Sequence, residues 1–151
     1  MNSQYKAATE YFLECLEKVN AENLDNNHPE GWSARQVIHH MADSEVQSST
    51  RLRRLLAEPS GSVIQGYDEA AWAESKALGY KKLPIEHSLE VIRGIRASSA
   101  LVLGQVTEQD LLRFGIHTES GIYTLQNWLD IYVSHPREHG DQLLRALNFQ
   151  V

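Results

Sequence analysis

At 151 residues the chain has the length of one domain, enough to bury about two thirds of its unfolded surface around a single core. Its 42% hydrophobic and 23% charged residues exclude disorder and low-complexity architectures. The net charge of −6 is the wrong sign for a surface that tracks phosphates, so neither nucleic acid nor an anionic membrane is an expected partner.

The opening stretch MNSQYKAATEYFLECLEKV has no basic segment followed by an apolar run, and no window approaches the ~18 apolar residues of a membrane span. A single cytoplasmic domain over residues 1–151 is the expectation. Apolar spacing predicts a first helix over residues 3–19, with Ala8, Phe12, Cys15, Leu16 and Val19 on one face. Cys15 is the only cysteine, which rules out an internal disulfide and a thiolate metal cage and reads as core. An Asn-rich, Pro-containing segment then leads to Ser33-Ala-Arg-Gln36, a capping-box pattern that opens a second helix over residues 33–57. Pro59-Ser-Gly-Ser62 breaks it. A loop with a short turn at residues 68–72 precedes Leu83-Pro84, which starts a third helix carrying Leu89, Ile92, Ile95, Ser99 and Val102 inward. After a turn at residues 107–112, GIHTESGIYT offers a short hairpin near residues 115–124, and a last helix runs over residues 124–147. The expected class is all-α, a four-helix bundle with crossover loops.

Seven histidines are the main source of metal-binding chemistry. On the last helix the inward stripe Leu125, Trp128, Leu129, Tyr132, His135, Pro136, His139, Leu143 and Ala146 places two imidazoles four residues apart on an apolar face. Buried there, they need polar partners, and one shared metal ion supplies both. His135-Pro-Arg-Glu-His139 is not the HExxH of zincins, because the carboxylate precedes the second histidine. Glu138 is expected in solvent or paired with Arg137 or Arg145, and Pro136 is expected to bend the turn carrying His135. A third imidazole is expected from His39-His40 on the second helix, where Val37, Met41 and Ser44 mark the inward face and favour His40. His28 and His87 read as solvent-exposed.

Trp32-Ser-Ala-Arg-Gln-Val-Ile-His-His40-Met-Ala-Asp-Ser44, then Gly66-Tyr-Asp-Glu-Ala-Ala-Trp72, then Thr124-Leu-Gln-Asn through His135-Pro-Arg-Glu-His139-Gly-Asp-Gln142-Leu143 together resemble the DinB/YfiT-like family over nearly the whole chain. The resemblance implies that family's four-helix bundle, a divalent metal (nickel or zinc), and His40, His135 and His139 as its ligands. It also implies a small-molecule substrate, a low-molecular-weight thiol such as bacillithiol or mycothiol as co-substrate in an S-transferase, and a homodimer. A metal-dependent hydrolase is the alternative reading, and a non-catalytic metal-binding stress protein is a third. The chain departs from the family pattern at Pro136-Arg137-Glu138, which replaces a more histidine-rich stretch, and the expectation is that it also departs in having no extended segment ahead of the first helix.

Three neutral imidazoles leave a coordination position open, the arrangement of catalytic zinc. An ion held that way lowers the pKa of water to ~7 and deprotonates a thiol, which suits hydrolysis or S-transfer respectively. Asp68, Trp72, His117, Glu119 and Gln142 are the candidates to surround the ion, Gln142 because it lies one turn beyond His139, and Asp68 and His117 because they sit in the loops able to cap the bundle. A serine hydrolase through Ser134 is disfavoured, since there is no GxSxG elbow.

Overall fold

The computed structural model describes residues 1–26 and 31–148, so His28 lies outside the described residues. The elements in chain order are α1 (Asn2–Leu16), α2 (Ala34–Ala57), β1 (Val63–Ile64), α3 (Glu69–Glu74), α4 (Glu86–Leu103), a 3₁₀ turn (Asp110–Leu112), β2 (Phe114–His117), β3 (Gly121–Thr124) and α5 (Leu125–Asn148). The four long helices form the bundle: α5 packs against α1 and α2, and α4 packs against α2 and α1.

Local sequence explains most boundaries. The Ser33 hydroxyl accepts from the Gln36 N–H and the Gln36 side chain accepts from the Ser33 N–H, closing the capping box at α2 and satisfying two otherwise free donors. Asp68 accepts from the Ala71 N–H at 2.9 Å to cap α3. Pro136 lies buried inside α5, which continues through it to Asn148. Beside it, Gly140 is required by packing: a Cβ there would sit 2.9 Å from Tyr11 Cε1 and 3.2 Å from Cys15 Sγ, so glycine lets α5 close on α1. Cys15 is buried among Phe12, Met41 and Leu143, and burial pushes its thiol pKa up, which makes it packing rather than a reactive group.

The core has two apolar ends. Tyr5, Leu52, Leu55, Trp128 and Tyr132 belong to one, and Phe12, Val37, Ile38, Met41, Ile92 and Leu143 to the other. Along α5, His135 and His139 fall in the interval between the two.

The structure differs from the sequence reading in two places. The expected hairpin forms, with Phe114↔Thr124 and His117↔Gly121 in register, but β1 adds a third strand parallel to β2. Two residues are too few to show alternation, so β1 left no periodic signal. Ile64, Gly115, His117 and Tyr123 face inward, whereas Val63, Ile116 and Ile122 face out. On α4, Ile95 and Val102 are only half-buried, and the residue that goes inside is Arg96, at 2% exposure. No helix among the described residues is long and apolar enough to cross a membrane.

Candidate metal centre

His40 projects from α2 into the bundle, and His135 and His139 meet it from successive turns of α5. Their Nε2 atoms form a triangle, with His40 to His135 at 3.3 Å, His40 to His139 at 3.1 Å and His135 to His139 at 3.0 Å. The neighbouring His39 points elsewhere. Its Nε2 donates to the Leu83 carbonyl at 3.1 Å and its Nδ1 accepts from the Ser88 hydroxyl at 2.8 Å. Both nitrogens are thus used in holding α2 to the start of α4. A 100° step per residue separates two adjacent histidines by enough to give them unrelated surroundings.

The tautomer of His139 follows from its partner. Nδ1 donates to Gln142 Oε1 at 2.7 Å, which leaves a lone pair on Nε2 pointing into the triangle. The Nδ1 atoms of His40 and His135 are buried without a hydrogen-bond partner. Protonating the cluster is opposed by its surroundings. Burial, helped by His139, pushes His40 down to about 3, and burial with His139, His40 and Arg96 pushes His135 well down. His139 is lowered by burial, against the opposing pull of Gln142 and Glu138. Three neutral imidazoles cannot satisfy one another pairwise at these distances, whereas nitrogens bound at ~2.05 Å to one tetrahedral cation stand about 3.3 Å apart. The donor set therefore fits a divalent cation.

The surroundings are aromatic with one acidic side chain. Trp32 lies 5.0 Å from the His40 ring and Tyr132 6.1 Å from the His135 ring, centroid to centroid. Glu69, the first residue of α3, brings Oε2 to 3.9 Å from His40 Nε2, and among the described residues no other carboxylate comes within 4 Å of the three imidazoles. Burial pushes its carboxyl pKa up, with Arg51 and Tyr67 opposing. Behind it, Arg51 donates to the Tyr132 hydroxyl at 3.3 Å and to the Gln65 carbonyl at 3.0 Å, and Tyr67 packs on Trp72 at 4.6 Å.

The other candidates from sequence take different places. Gln142 touches the cluster through His139. Asp68 does not face it: its carboxylate is spent on the N-terminus of α3, and the residue beside it, Glu69, is the one that reaches the imidazoles. His117 packs on Tyr123 at 5.5 Å, and its Nδ1 accepts from the Glu119 N–H at 3.3 Å, on the sheet. The Glu119 carboxyl covers Gly66, where a Cβ would lie 2.6 Å from Glu119 Cδ. Glu138 is exposed. Glu69 escaped the sequence reading because a carboxylate in a loop has no periodicity to place it, although Asp68 as a cap and Glu69 as the first helical residue is a legible division of roles.

A second polar group lies deeper. Arg96 donates to Glu45 Oε1 at 3.1 Å, to the carbonyls of Tyr132 and Tyr5 at 2.9 Å each, and to the Thr9 hydroxyl at 2.8 Å, with its guanidinium 3.6 Å over the Tyr5 ring.

The model of the DinB superfamily matches residues 4–143. The chain is 37% identical over 122 residues to a protein of Oceanobacillus iheyensis that bears the provisional name metal-dependent hydrolase, covering 80% of this chain and 69% of that one. YfiT of Bacillus subtilis, under the same provisional name, is 33% identical over 128 residues, covering 83% of this chain and 70% of YfiT. The solved structure of YfiT, described as a probable metal-dependent hydrolase with an unusual four-helix bundle topology, superposes with a TM-score of 0.83 at 28% identity over 96% of this chain and 82% of that one. The fold and the sequence agree, and the chain belongs to the DinB superfamily.

Proposed function

We propose that this protein is a divalent-metal-dependent hydrolase of a small molecule, with His40, His135 and His139 as the metal ligands. The observation that carries the reading is the triangle of Nε2 atoms at 3.0–3.3 Å. The provisional names of the relatives support it. A divalent ion in such a site is a Lewis acid that activates water or a thiol at its open position. The chain's own contribution is to orient and to exclude water. Gln142 fixes the His139 ring and its tautomer through Nδ1, in the way that outer partners set ligand basicity. Trp32 and Tyr132 wall the imidazoles with apolar rings, and Glu69 is the acceptor on the exposed side.

The test begins with elemental analysis of untagged protein, with zinc and nickel the expected metals. Metal-loaded wild type and His135→Ala are then assayed on aryl esters and amides, and on aryl electrophiles with and without bacillithiol or mycothiol. Metal-dependent cleavage without thiol, absent in His135→Ala, is the expected result. Consumption that requires thiol would replace hydrolysis with the S-transfer implied by the family resemblance. Tight metal binding with neither activity would leave a metal-binding stress protein.

A further inference from the structure

We infer that Glu69 is the anionic positioning residue of the three-imidazole site, standing just outside the ligand sphere and facing the open coordination position. This rests on the metal reading above and adds to it a residue with a defined role. Three observations carry it. First, Glu69 Oε2 is 3.9 Å from His40 Nε2, beyond the about 3.3 Å expected between two ligands of one tetrahedral ion. It also falls outside the set of potential ligand atoms lying within 4.8 Å of one another, which His40, His135 and His139 form by themselves. The carboxylate thus approaches His40 but does not close on all three imidazoles as a fourth ligand would.

Second, the carboxylate is held there by local structure. Asp68 caps α3, which makes Glu69 the first residue of the helix, where a negative side chain is favoured by the free N–H groups of that turn. The packing of Tyr67 on Trp72 holds the flanking residues together, and the Arg51 guanidinium is itself tied to Gln65 and Tyr132. Third, the side chain is neither free nor sealed, at 51% exposure against 0% for His40. It sits between solvent and the fully buried His40.

Three neutral imidazoles bring no charge to offset a divalent ion. A carboxylate at this position supplies one negative charge without occupying the coordination position, accepts a hydrogen bond from a protic group placed there, and repels anions that would compete for it. Its removal should weaken the metal and admit anions, while leaving the fold intact.

The experiment compares wild type, Glu69→Gln, Glu74→Gln and His135→Ala. Glu74 lies at the other end of α3, paired with Lys81 on the surface, and its substitution makes the same charge change away from the site. Competition titrations give the Zn²⁺ and Co²⁺ affinities, and thiocyanate titrations of the Co²⁺-loaded proteins, followed by visible absorption, give the anion affinity of the open position. Glu69→Gln should bind metal about 10–100-fold more weakly, as outer-shell partners typically do, and thiocyanate more tightly, with the melting temperature of the metal-free protein unchanged and Glu74→Gln matching wild type. Metal and thiocyanate affinities of Glu69→Gln both within threefold of wild type would overturn the assignment while leaving the histidine site standing. A wild type that binds no metal tightly, or a His135→Ala that binds as well as wild type, would instead remove the site itself.

Discussion

Two polar clusters share the interior of this bundle, and they differ in how their demands are met. Arg96 is at 2% exposure, yet every nitrogen of its guanidinium has an acceptor: a carboxylate, two main-chain carbonyls and a hydroxyl, all from within the fold. The imidazoles of His40, His135 and His139 have only one another and Gln142. A buried guanidinium with every nitrogen bonded is a structural joint, here linking α1, α2, α4 and α5 at a single side chain, with one Glu45 oxygen taken by Arg96 and the other left without a partner among the described residues. Three convergent imidazole nitrogens that cannot all be paired with one another are a site for something brought from outside. Both clusters draw on α2 and α5, so the same two helices serve one purpose at Glu45 and Tyr132 and another at His40 and His135.

The largest effect should come from removing an imidazole. His40→Ala, His135→Ala and His139→Ala should each lower zinc affinity at least 100-fold by competition titration, since a site with two nitrogen donors lacks the closed geometry of three. The metal-free variants should fold normally, because the three imidazole nitrogens cannot all be paired with one another and the joint at Arg96 does not involve them. A variant that loses metal only because it has unfolded would contradict the division between the clusters.

Arg96→Ala tests the other half. Removing one partner of a buried pair strands the other charge, at about 3–5 kcal/mol, and also frees two main-chain carbonyls and the Thr9 hydroxyl. Chemical denaturation should show that loss, while the folded fraction keeps zinc affinity within threefold of wild type. Glu45→Gln should cost less, since Arg96 retains its other acceptors. An Arg96→Ala protein of wild-type stability would mean that the joint between helices lies elsewhere.

Acid separates the clusters by sign. His40, His135 and His139 have folded-state pKa values lowered by burial, whereas in the unfolded chain histidine titrates near ~6.5. Between those values the unfolded state binds more protons, so stability is present above pH ~6.5 and is lost as pH falls through the window below it. Metal-free wild type should therefore lose melting temperature more steeply from pH 7 to pH 5 than the triple alanine variant. Glu45, raised by burial, slopes the other way, but it does so in both proteins and cancels in the difference. Parallel curves would show that the imidazoles are hydrated and not desolvated.

The two clusters were unequally legible in the sequence. His135 and His139 interrupt an apolar stripe at helical spacing, and Val37, Met41 and Ser44 set His40 at the edge of the inner face of α2, so periodicity favours the three and the family resemblance names them as a set. Arg96 and Glu45 lie on helices of equally clear period, but a charged residue at an inward position reads as an edge of the stripe unless its partner is known, and that partner is 51 residues away. Glu69 was legible only as part of a loop, because its approach to His40 depends on how the segment between α2 and α4 folds back over the bundle. Asp68 and His117 were placed near the metal by the same uncertainty. The cap of α3 and the inner face of the sheet account for them instead.

The smallest effect expected is the most direct check on the face assignment. His39 precedes His40 and is itself only 7% exposed, so burial does not distinguish them. Their hydrogen bonds do. His39 holds the Leu83 carbonyl and the Ser88 hydroxyl, contacts that tie α2 to the start of α4 and do not reach the imidazole triangle. His39→Ala removes two neutral hydrogen bonds at about 1 kcal/mol each and leaves a Ser88 hydroxyl able to turn to solvent, so denaturant unfolding should show a loss of about 1–2 kcal/mol. Zinc affinity should stay within threefold of wild type, because α2 keeps its backbone and the His40 ring keeps its packing against Trp32. A fall in affinity comparable to that of His40→Ala would mean that α2 is rotated by about one residue from its position here, and the contrast between the metal cluster and the joint would have to be redrawn with His39 inside.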